Sequence, residues 1–306
     1  MDLPSKILNV VVPPFVFLLM LLLSPLFIFF KLSRRLQSYI NAENVAGKVI
    51  LITGASSGIG EHLAYEYARR GARMALVARR EERLRAVAEK SRRLGSPDVI
   101  VITGDVSVVE DCKRFVQGTI DHFGRLDHLV NNAGIGEVKA FESYSRISEA
   151  ARVMEINFWG SVYTTHLSVP HLKRSKGKII AVSSVSGWLS QPYMGFYGAA
   201  KAAMINFYEA LRIELGHEIG ITVATPGLIQ TDMVTPDVLA TEGWEWVPML
   251  SATGCAKGIV DGVCRRDRNV TVPSWFNVLF WLKTLVPELM ERFGRENMKK
   301  QRPKHD

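Results

Sequence analysis

Seven short apolar runs recur between residues 48 and 273, and stretches with helical periodicity separate them. The runs are rich in Val, Ile and Leu and cover 48–53, 73–78, 98–103, 126–131, 178–183, 220–225 and 269–273. Strands that alternate with helices in this way form a parallel sheet with right-handed crossovers. We therefore predict an α/β fold, a doubly wound parallel sheet of seven strands with helices on both faces.

The composition fits one such domain with an additional segment at each end. Of 306 residues, 47% are hydrophobic and 22% are charged, close to the averages of globular proteins. We predict an apolar segment over 1–40, the α/β domain over 41–275, and an amphipathic C-terminal segment with a basic tail over 276–306. The three cysteines form no CxxC pattern, which suits a reducing compartment, and the histidines do not cluster, so we expect no metal.

Residues 7–30 form a run of 24 residues without a charged side chain. Such a run is long enough for a membrane helix, and it ends in "KLSRRLQ" without a signal-peptide cleavage site, so we predict an uncleaved membrane or lipid-droplet anchor. A buried core helix is the alternative. Because proline disrupts helices, we expect a bend at Pro13, Pro14 and Pro25, with two apolar arms returning to the same surface. A spanning helix remains the other form of the anchor.

The charges around this run predict its orientation. Lys31, Arg34 and Arg35 follow it, whereas Lys6 alone precedes it, so the bulk of the chain should face the cytosol. A glycosylation sequon at Asn269 disagrees, although it falls in a predicted buried strand. The net charge of +8 comes with no aromatic-rich basic face and no nucleic-acid-binding motif. We therefore expect an anionic membrane surface as the partner, and no nucleic acid.

The first predicted strand leads into a glycine-rich turn, "TGASSGIG", and then directly into a helix. The glycines let the backbone turn tightly and approach a pyrophosphate, which the amides at the start of the helix bind. This context favours a Rossmann-like dinucleotide site over a glycine turn without chemistry. The predicted binding residues of the turn are Gly54, Ser56, Ser57, Gly58, Ile59 and Gly60.

The end of the second strand predicts which dinucleotide binds. NAD-binding sites usually carry a carboxylate there for the ribose 2′-hydroxyl, whereas this chain has Ala78 followed by Arg79 and Arg80. A guanidinium can pair with a 2′-phosphate, so we predict NADP(H) as the cofactor. The alternative is that both arginines are ordinary surface charges at the start of a helix.

The stretch "FYGAAKAAM" places Tyr197 four residues before Lys201, on one face of a helix. Taken alone, such a pair occurs by chance too often to identify a site. Its chemistry is nevertheless specific, because a free tyrosine, with a pKa of about 10, is a poor base at neutral pH. A neighbouring ammonium and an oxidised nicotinamide both favour the phenolate, which can then remove the proton of an alcohol.

The chain resembles the short-chain dehydrogenase/reductase family over residues 47–275. The motifs that carry this resemblance are "TGASSGIG", "GDVS", "NNAG", "MEINFWG", "VSS" and "YGAAK", in this order. The proline-bearing anchor and the phrases "FGRLDHLVNNAG", "INFWGS" and "PGLIQTDM" are most similar to the plant 11β-hydroxysteroid dehydrogenase-like group, which includes the steroleosins of seed oil bodies.

The resemblance implies roles for individual residues. Ser184 would hydrogen-bond the substrate oxygen, Tyr197 would transfer the proton, Lys201 would also hold the nicotinamide ribose, and Asn157 would hold a relay water. Asp105 and Val106 would lie beside the adenine, and Thr231 beside the pyrophosphate or the carboxamide. The remaining implied cofactor contacts are Asn132, Ala133, Gly134, Pro226, Gly227 and Ile229.

The substrate is predicted from aromatic residues and from the anchor. Trp244 and Trp246, in the loop-like segment 233–251, would form an apolar pocket for a sterol-like alcohol together with Trp188 and Tyr193. A retinoid, a ketosphinganine or a 3-ketoacyl substrate is an alternative, and a non-catalytic lipid-droplet coat protein is another. For the C-terminal segment three roles are open, namely resting on a membrane, covering the pocket or pairing two subunits into a homodimer.

Overall fold

The computed structural model describes residues 3–234 and 247–301. By its internal contacts the chain divides into two units, Met1–Glu43 and Asn44–Asp306. The first unit is mainly one helix, and the second unit holds the α/β domain together with the C-terminal segment.

Helix α1, Leu3–Ile40, runs through all three prolines of the N-terminal segment. The predicted bend with two returning arms is therefore wrong. Contacts at Pro25 give one reason, because proline has no N–H for the carbonyl of Leu21. The hydroxyl of Ser24 donates to that carbonyl instead, at 2.9 Å, and so replaces the missing hydrogen bond.

The second unit is built on a parallel sheet of seven strands, as predicted. These strands are β1 (Val49–Thr53), β2 (Arg73–Ala78), β3 (Val99–Thr103), β4 (His128–Asn131), β5 (Lys178–Val182), β6 (Gly220–Pro226) and β9 (Asn269–Val272). The strand order is β3-β2-β1-β4-β5-β6-β9, and each neighbouring pair is parallel. A separate short pair, β7 (Ile229–Gln230) with β8 (Leu250–Ser251), was not predicted.

Helices cover both faces of this sheet. They are α2 (Gly58–Arg69), α3 (Glu81–Arg93), α4 (Val109–Phe123), α5 (Ala151–Met154), α6 (Gly160–Ser175), α7 (Gly195–Leu215), α8 (Ala252–Cys264), α9 (Asn277–Leu285) and α10 (Pro287–Gln301). Leu63 of α2 and Ile259 of α8 lie in the apolar core on one face, whereas Phe115 of α4 and Tyr208 of α7 lie in the core on the other. Strands β1, β4 and β5 are buried along their whole length, which explains their continuous apolar sequences.

The strand order also determines where a ligand can enter. The chain builds β1, β2 and β3 towards one edge and then returns to add β4 on the other side of β1. At this reversal the crossovers leave the carboxyl ends of β1 and β4 in opposite directions, which opens a crevice between them.

The glycosylation sequon lies at the start of β9. Val270 and Val272 of the predicted strand are buried, but Asn269 at its start is exposed. The Oδ1 of Asn269 accepts a hydrogen bond from Arg212 at 3.1 Å. Because β9 is an edge strand, its first residue faces solvent.

Candidate active site

A cleft of about 350 Å³ lies at the crevice between β1 and β4. Most of the predicted cofactor residues line it, although they come from distant parts of the sequence. These lining residues are Gly54, Ser56, Ser57, Gly58, Ile59, Arg79, Arg80, Asp105, Val106, Asn132, Ala133, Gly134 and Thr231, together with Asn157, Tyr197 and Lys201.

The glycine-rich turn forms one wall of the cleft and depends on two of its glycines. Gly54 has a φ of +68°, and a Cβ there would lie 2.7 Å from the Cα of Ala133. A Cβ on Gly60 would lie 2.3 Å from the carbonyl oxygen of Gly54, so the turn can close only without side chains. The side-chain amide of Asn132 donates to the carbonyl of Thr53 at 3.0 Å, which joins the "NNAG" segment to this turn. Helix α2 then begins at Gly58 and points its first amides into the cleft, where a pyrophosphate fits.

The arginines after β2 take different partners. Arg80 donates to the hydroxyl of Ser57 at 2.7 Å and to that of Ser56 at 3.0 Å, so its guanidinium lies against the turn. Arg79 is exposed, and its Nη1 lies 3.7 Å from a carboxylate oxygen of Asp105, which follows β3. Both guanidinium groups line the cleft at the end where a dinucleotide's adenosine would lie.

Asn157 lies in a π-helical turn, Glu155–Trp159, between α5 and α6. The extra residue of such a turn displaces the helix ladder, and π-turns of this kind are frequent at functional sites. The fully buried amide of Asn157 makes a paired contact with the backbone of Ile135, accepting from its N–H at 3.0 Å and donating to its carbonyl at 2.9 Å. This contact holds the end of the "NNAG" segment against the helix.

Tyr197 and Lys201 both lie on the buried face of α7, as their spacing predicts. The Nζ of Lys201 is 5.7 Å from the centroid of the Tyr197 ring, and it donates to the carbonyl of Val182 at the end of β5 at 3.1 Å. Burial lowers the pKa of Lys201 to about 8. The hydroxyl of Ser183 donates to the carbonyl of Lys201 at 2.8 Å, so β5 and α7 are fastened together behind the pair.

Ser184 follows β5 and starts a short 3-10 helix, Val185–Gly187. Its Oγ accepts a hydrogen bond from the backbone N–H of Ser186 at 3.1 Å and lies 3.1 Å from the Ser186 hydroxyl. The Ser186 hydroxyl in turn lies 2.6 Å from the Oε1 of Gln191. Neither the contact of Ser184 with Ser186 nor that of Ser186 with Gln191 was predicted, because a serine and a glutamine in a loop carry no motif.

Some predicted contacts lie elsewhere. The predicted catalytic residue Ser184 and the predicted cofactor contacts Gly60, Pro226, Gly227 and Ile229 do not line the cleft. The backbone of Gly227 packs against the ring of Phe276, and Ile229 is buried in the core beside β8. Conversely, Met233 lines the cleft and was missed, since a lone methionine after "QTD" gives no signal in the sequence. Trp244 and Trp246 lie outside the described residues.

The family model described as short chain dehydrogenase matches residues 48–241 of this chain. The chain therefore belongs to the short chain dehydrogenase family and is an oxidoreductase by its fold and family. It is similar to 11-beta-hydroxysteroid dehydrogenase-like 4A of Arabidopsis thaliana, at 57% identity over 95% of this chain and 98% of that protein. It is also similar to 11-beta-hydroxysteroid dehydrogenase A of Arachis hypogaea, at 50% identity over 95% of this chain and 87% of that one.

Solved structures share the fold. A short chain dehydrogenase/reductase from Burkholderia phymatum in complex with NAD matches with a TM-score of 0.72 and 24% identity, over 86% of this chain and 98% of that chain. An alcohol dehydrogenase from Thermococcus sibiricus complexed with 5-hydroxy-NADP matches with a TM-score of 0.65 and 28% identity, over 73% of this chain and 95% of that chain. A nicotinamide cofactor fits the cleft, because the glycine-rich turn and the first residues of α2 line it, where backbone amides can bind a pyrophosphate.

Among the described residues no group of histidine, cysteine, aspartate and glutamate side chains is arranged to hold a metal ion. The cysteines are buried and form no disulfide: Cys112, Cys255 and Cys264. Burial raises the pKa of Cys112 to about 11 and that of Cys255 to about 12, so both thiols stay protonated and unreactive at neutral pH.

Proposed function

We propose that this protein is an NADP(H)-dependent hydroxysteroid dehydrogenase that interconverts a lipophilic secondary alcohol and the corresponding ketone at a lipid surface. The observation that carries the proposal is that Asn157, Tyr197 and Lys201 line one cleft at the carboxyl end of β5, and that Ser184 follows Val182 and Ser183 of the same lining. The relatives named 11-beta-hydroxysteroid dehydrogenase, at 50% identity over most of both chains, support the substrate class.

In oxidation, the Tyr197 phenolate takes the hydroxyl proton of the alcohol, and a nicotinamide held in the cleft would accept the hydride from the alcohol carbon. The nicotinamide would supply the two-electron chemistry, and side chains of this protein bind and transfer the proton. The ammonium of Lys201 stabilises the phenolate by its charge, and Ser184 hydrogen-bonds the substrate oxygen. Reduction of the ketone runs the same steps backwards, with Tyr197 as the proton donor.

NADP(H) is favoured over NAD(H) by the charges at the adenosine end of the cleft. Arg79 and Arg80 supply two guanidinium groups there, and Ser56 and Ser57 supply hydroxyl donors beside Arg80. A 2′-phosphate carries negative charge and several acceptor oxygens, which this set of donors matches. The carboxylate of Asp105 already pairs with Arg79, so less of its charge opposes a phosphate.

The surroundings of Ser184 support an apolar substrate. After Val185, the ring of Trp188 lies 5.6 Å from that of Phe280 in α9, and the ammonium of Lys283 donates to the Trp188 carbonyl. Helix α9 therefore packs on the segment that carries Ser184, which supports a pocket-covering role for the C-terminal segment.

Steady-state turnover by the purified full chain tests this proposal. The panel comprises an 11-oxosteroid, a 17-oxosteroid, retinal, 3-ketosphinganine and a 3-ketoacyl ester, each with NADPH and with NADH, together with the corresponding alcohols and oxidised cofactors. We expect the steroids to give the highest kcat/KM, and NADPH to be preferred at least tenfold. Preference for another ketone would overturn the substrate class alone, and no turnover of any pair would favour a coat protein without catalysis.

The lipid surface is proposed from α1 and from one face of the C-terminal helices. Among the described residues, α1 is the helix that is long and apolar enough to cross a membrane. On α9, Val278, Trp281 and Leu285 repeat at helical spacing and are 60%, 62% and 73% exposed. Leu289 of α10 extends this outward stripe and is 58% exposed. Exposed tryptophan and leucine at such spacing suit insertion into the headgroup region of a membrane.

Two substitutions test the lipid-facing stripe in the full chain. Trp281→Glu combined with Leu285→Glu should lower activity towards a vesicle-dissolved steroid several-fold while leaving activity towards the same steroid in detergent unchanged. Val109→Glu is the matched control, because Val109 is also exposed but lies at the start of α4. Equal activity of both variants in vesicles would show that the stripe does not meet the lipid.

A further inference from the structure

Lys201 is held at both ends by two neighbouring residues at the carboxyl end of β5. Its Nζ donates to the carbonyl of Val182 at 3.1 Å, and its own backbone carbonyl accepts from the hydroxyl of Ser183 at 2.8 Å. Ser183 is buried and, like Lys201, lines the cleft. Because both partners belong to one strand end, the backbone and the tip of the lysine are fixed relative to the same part of the sheet.

The contact of Ser183 with α7 adds to the helix without breaking it. The Lys201 carbonyl lies in the interior of α7, and a carbonyl oxygen has two lone pairs, so it can accept from Ser183 in addition to its bond within the helix. Gly187 lets the helix come this close, because a Cβ there would lie 2.9 Å from the Lys201 carbonyl oxygen. The hydroxyl of Ser183 is therefore a directed contact between β5 and α7 at the residue that carries the ammonium.

The position of the ammonium matters for its effect on Tyr197. The Nζ of Lys201 lies 5.7 Å from the centroid of the Tyr197 ring, and the stabilisation of a phenolate by a positive charge weakens with distance. A lysine has a flexible four-carbon stem and can reach many positions. The contacts at its two ends select one of these positions.

The same contacts keep the ammonium out of water. Lys201 is 4% exposed, and burial lowers its pKa to about 8 without a contribution from a neighbouring charge. The Sδ of Met204, 3.8 Å from Nζ, is uncharged and does not replace hydration. Since Lys201 lines an open cleft, an ammonium that is free to move would reach solvent, and its pKa would return towards the ordinary value.

We propose that Ser183 is a positioning residue, whose hydroxyl fixes the backbone of Lys201 and so holds the ammonium at its distance from Tyr197. The inference rests on the proposed alcohol–ketone chemistry but not on the choice of a steroid.

Ser183→Ala in the full chain tests the inference. For the alcohol–ketone pair of the panel with the highest kcat/KM, we expect kcat to fall roughly tenfold while the KM of the substrate stays within about twofold, because a displaced ammonium affects the reacting state. Ser183→Thr keeps the hydroxyl and should retain kcat within about threefold. A kcat of Ser183→Ala equal to that of the wild type would overturn the inference.

Ser96→Ala is the matched control. Ser96 is also buried, its hydroxyl donates to the backbone carbonyl of Ala72, and it does not line the cleft. This variant loses the same kind of hydrogen bond, so its Tm should fall, but its kcat should equal that of the wild type. An equal loss of kcat in both variants would show that a general loss of stability is the cause, which overturns the inference.

Combination with Lys201→Met shows whether Ser183 acts through the ammonium. The backbone carbonyl that Ser183 contacts remains in this background, but the charge is gone. Ser183→Ala should therefore lower the kcat of Lys201→Met by less than about twofold. A further tenfold loss would show that Ser183 holds another part of the site, and the inference would be wrong.

The stability of the protein without cofactor gives a readout that needs no turnover. Between pH 8 and 10.5 the unfolded chain binds more protons at Lys201 than the folded protein does, so the stability of Ser96→Ala should rise with pH as that of the wild type does. In Ser183→Ala the rise should be smaller, because the folded pKa of Lys201 moves back towards 10.5. The Tm difference between these two variants should change by about 2 °C or more across this window.

A parallel pH dependence of the two Tm values would overturn the inference and leave the proposed function intact. If Ser183→Ala does not fold, Ser183→Cys takes its place in each comparison, since a thiol is only a weak donor. A wild type that turns over no alcohol–ketone pair overturns both the proposed function and this inference.

Discussion

The walls of the cleft are held by different kinds of contact. The cofactor wall, residues 54–60 with 132–134, is backbone packed against backbone, and a single added Cβ at Gly60 would lie 2.3 Å from a carbonyl oxygen. The segment from Ser183 to Tyr197, whose two ends line the cleft, is held by hydroxyls, a carboxamide and aromatic rings that could each be replaced by another side chain. Backbone packed on backbone leaves no room for an added side chain, whereas contacts between side chains tolerate exchange.

Removing the Tyr197 hydroxyl is the largest expected change. Tyr197→Phe should lower kcat by about 10³-fold or more, because the Tyr197 hydroxyl is the group proposed to transfer the substrate proton. The affinity for NADPH, measured by its fluorescence on binding, should stay within about twofold. A variant that keeps more than a few per cent of the wild-type rate would show that proton transfer does not depend on Tyr197.

Lys201→Met should lower the activity of the protein but raise its stability. We expect kcat to fall by roughly 10²- to 10³-fold, while the apo protein becomes more stable because a buried ammonium is removed. The pKa of Lys201 is lowered from 10.5 to about 8, so its burial destabilises the fold by ~3 kcal/mol.

The pH dependence of that difference is a direct check. Between pH 8 and 10.5 the folded protein binds fewer protons at Lys201 than the unfolded chain does, so wild-type stability rises with pH in this window. At pH 7, Lys201→Met should therefore melt about 5 °C above the wild type. This difference in Tm should keep its full size below pH 8 and vanish near pH 10.5. An excess that does not vary with pH would mean that the desolvated charge is not its cause.

The backbone contacts of the cofactor wall predict an effect from a single methyl group. Gly60→Ala should weaken NADPH binding by roughly 100-fold, because the added methyl group overpacks the turn and forces its backbone apart. Gly195→Ala is the control, since a Cβ at Gly195 meets no atom within 4 Å, and it should bind NADPH normally. Equal affinities of the two variants in titration calorimetry would contradict the rigid cofactor wall.

Substitution of the arginines tests whether side chains of the cofactor wall select between NADP(H) and NAD(H). Arg79→Ala with Ala78→Asp should weaken NADP(H) about tenfold and improve NAD(H), and Arg80→Ala alone should weaken NADP(H) by a similar factor through loss of the Ser56 and Ser57 contacts. The ratio of kcat/KM for the two cofactors is the measurement. A ratio unchanged in both variants would mean that neither guanidinium binds the 2′-phosphate.

The smallest effect is expected outside the cleft. Because α1 is already one helix, replacing Pro13, Pro14 and Pro25 with Leu should leave the cellular location of a fluorescent fusion unchanged. A move from droplet surfaces to bilayer membranes would instead mean that the prolines bend the segment in cells. Glycan addition at the exposed Asn269 reports the orientation independently, and we expect none if the domain faces the cytosol.

The sequence alone predicted the seven strands, their parallel pairing and the helices around them, because burial on both faces requires continuous apolar runs. It also predicted that Tyr197 and Lys201 share a helix face, since that relation is local. The prediction of a bend at the prolines was wrong. The hydroxyl of Ser24 replaces the backbone hydrogen bond that Pro25 cannot make, and the proline pattern that suggested the bend does not reveal this contact.

Only the tertiary structure brought Asn157 to Ile135, Arg80 to the glycine-rich turn, and Gln191 to the hydroxyl that touches Ser184. These contacts join side chains whose spacing along the chain follows no helical or strand period, so no local rule could predict them. The lowered pKa of Lys201 has the same origin. Whether a lysine is desolvated depends on what β5 and α7 place around it, and packing of that kind is decided when the whole sheet closes.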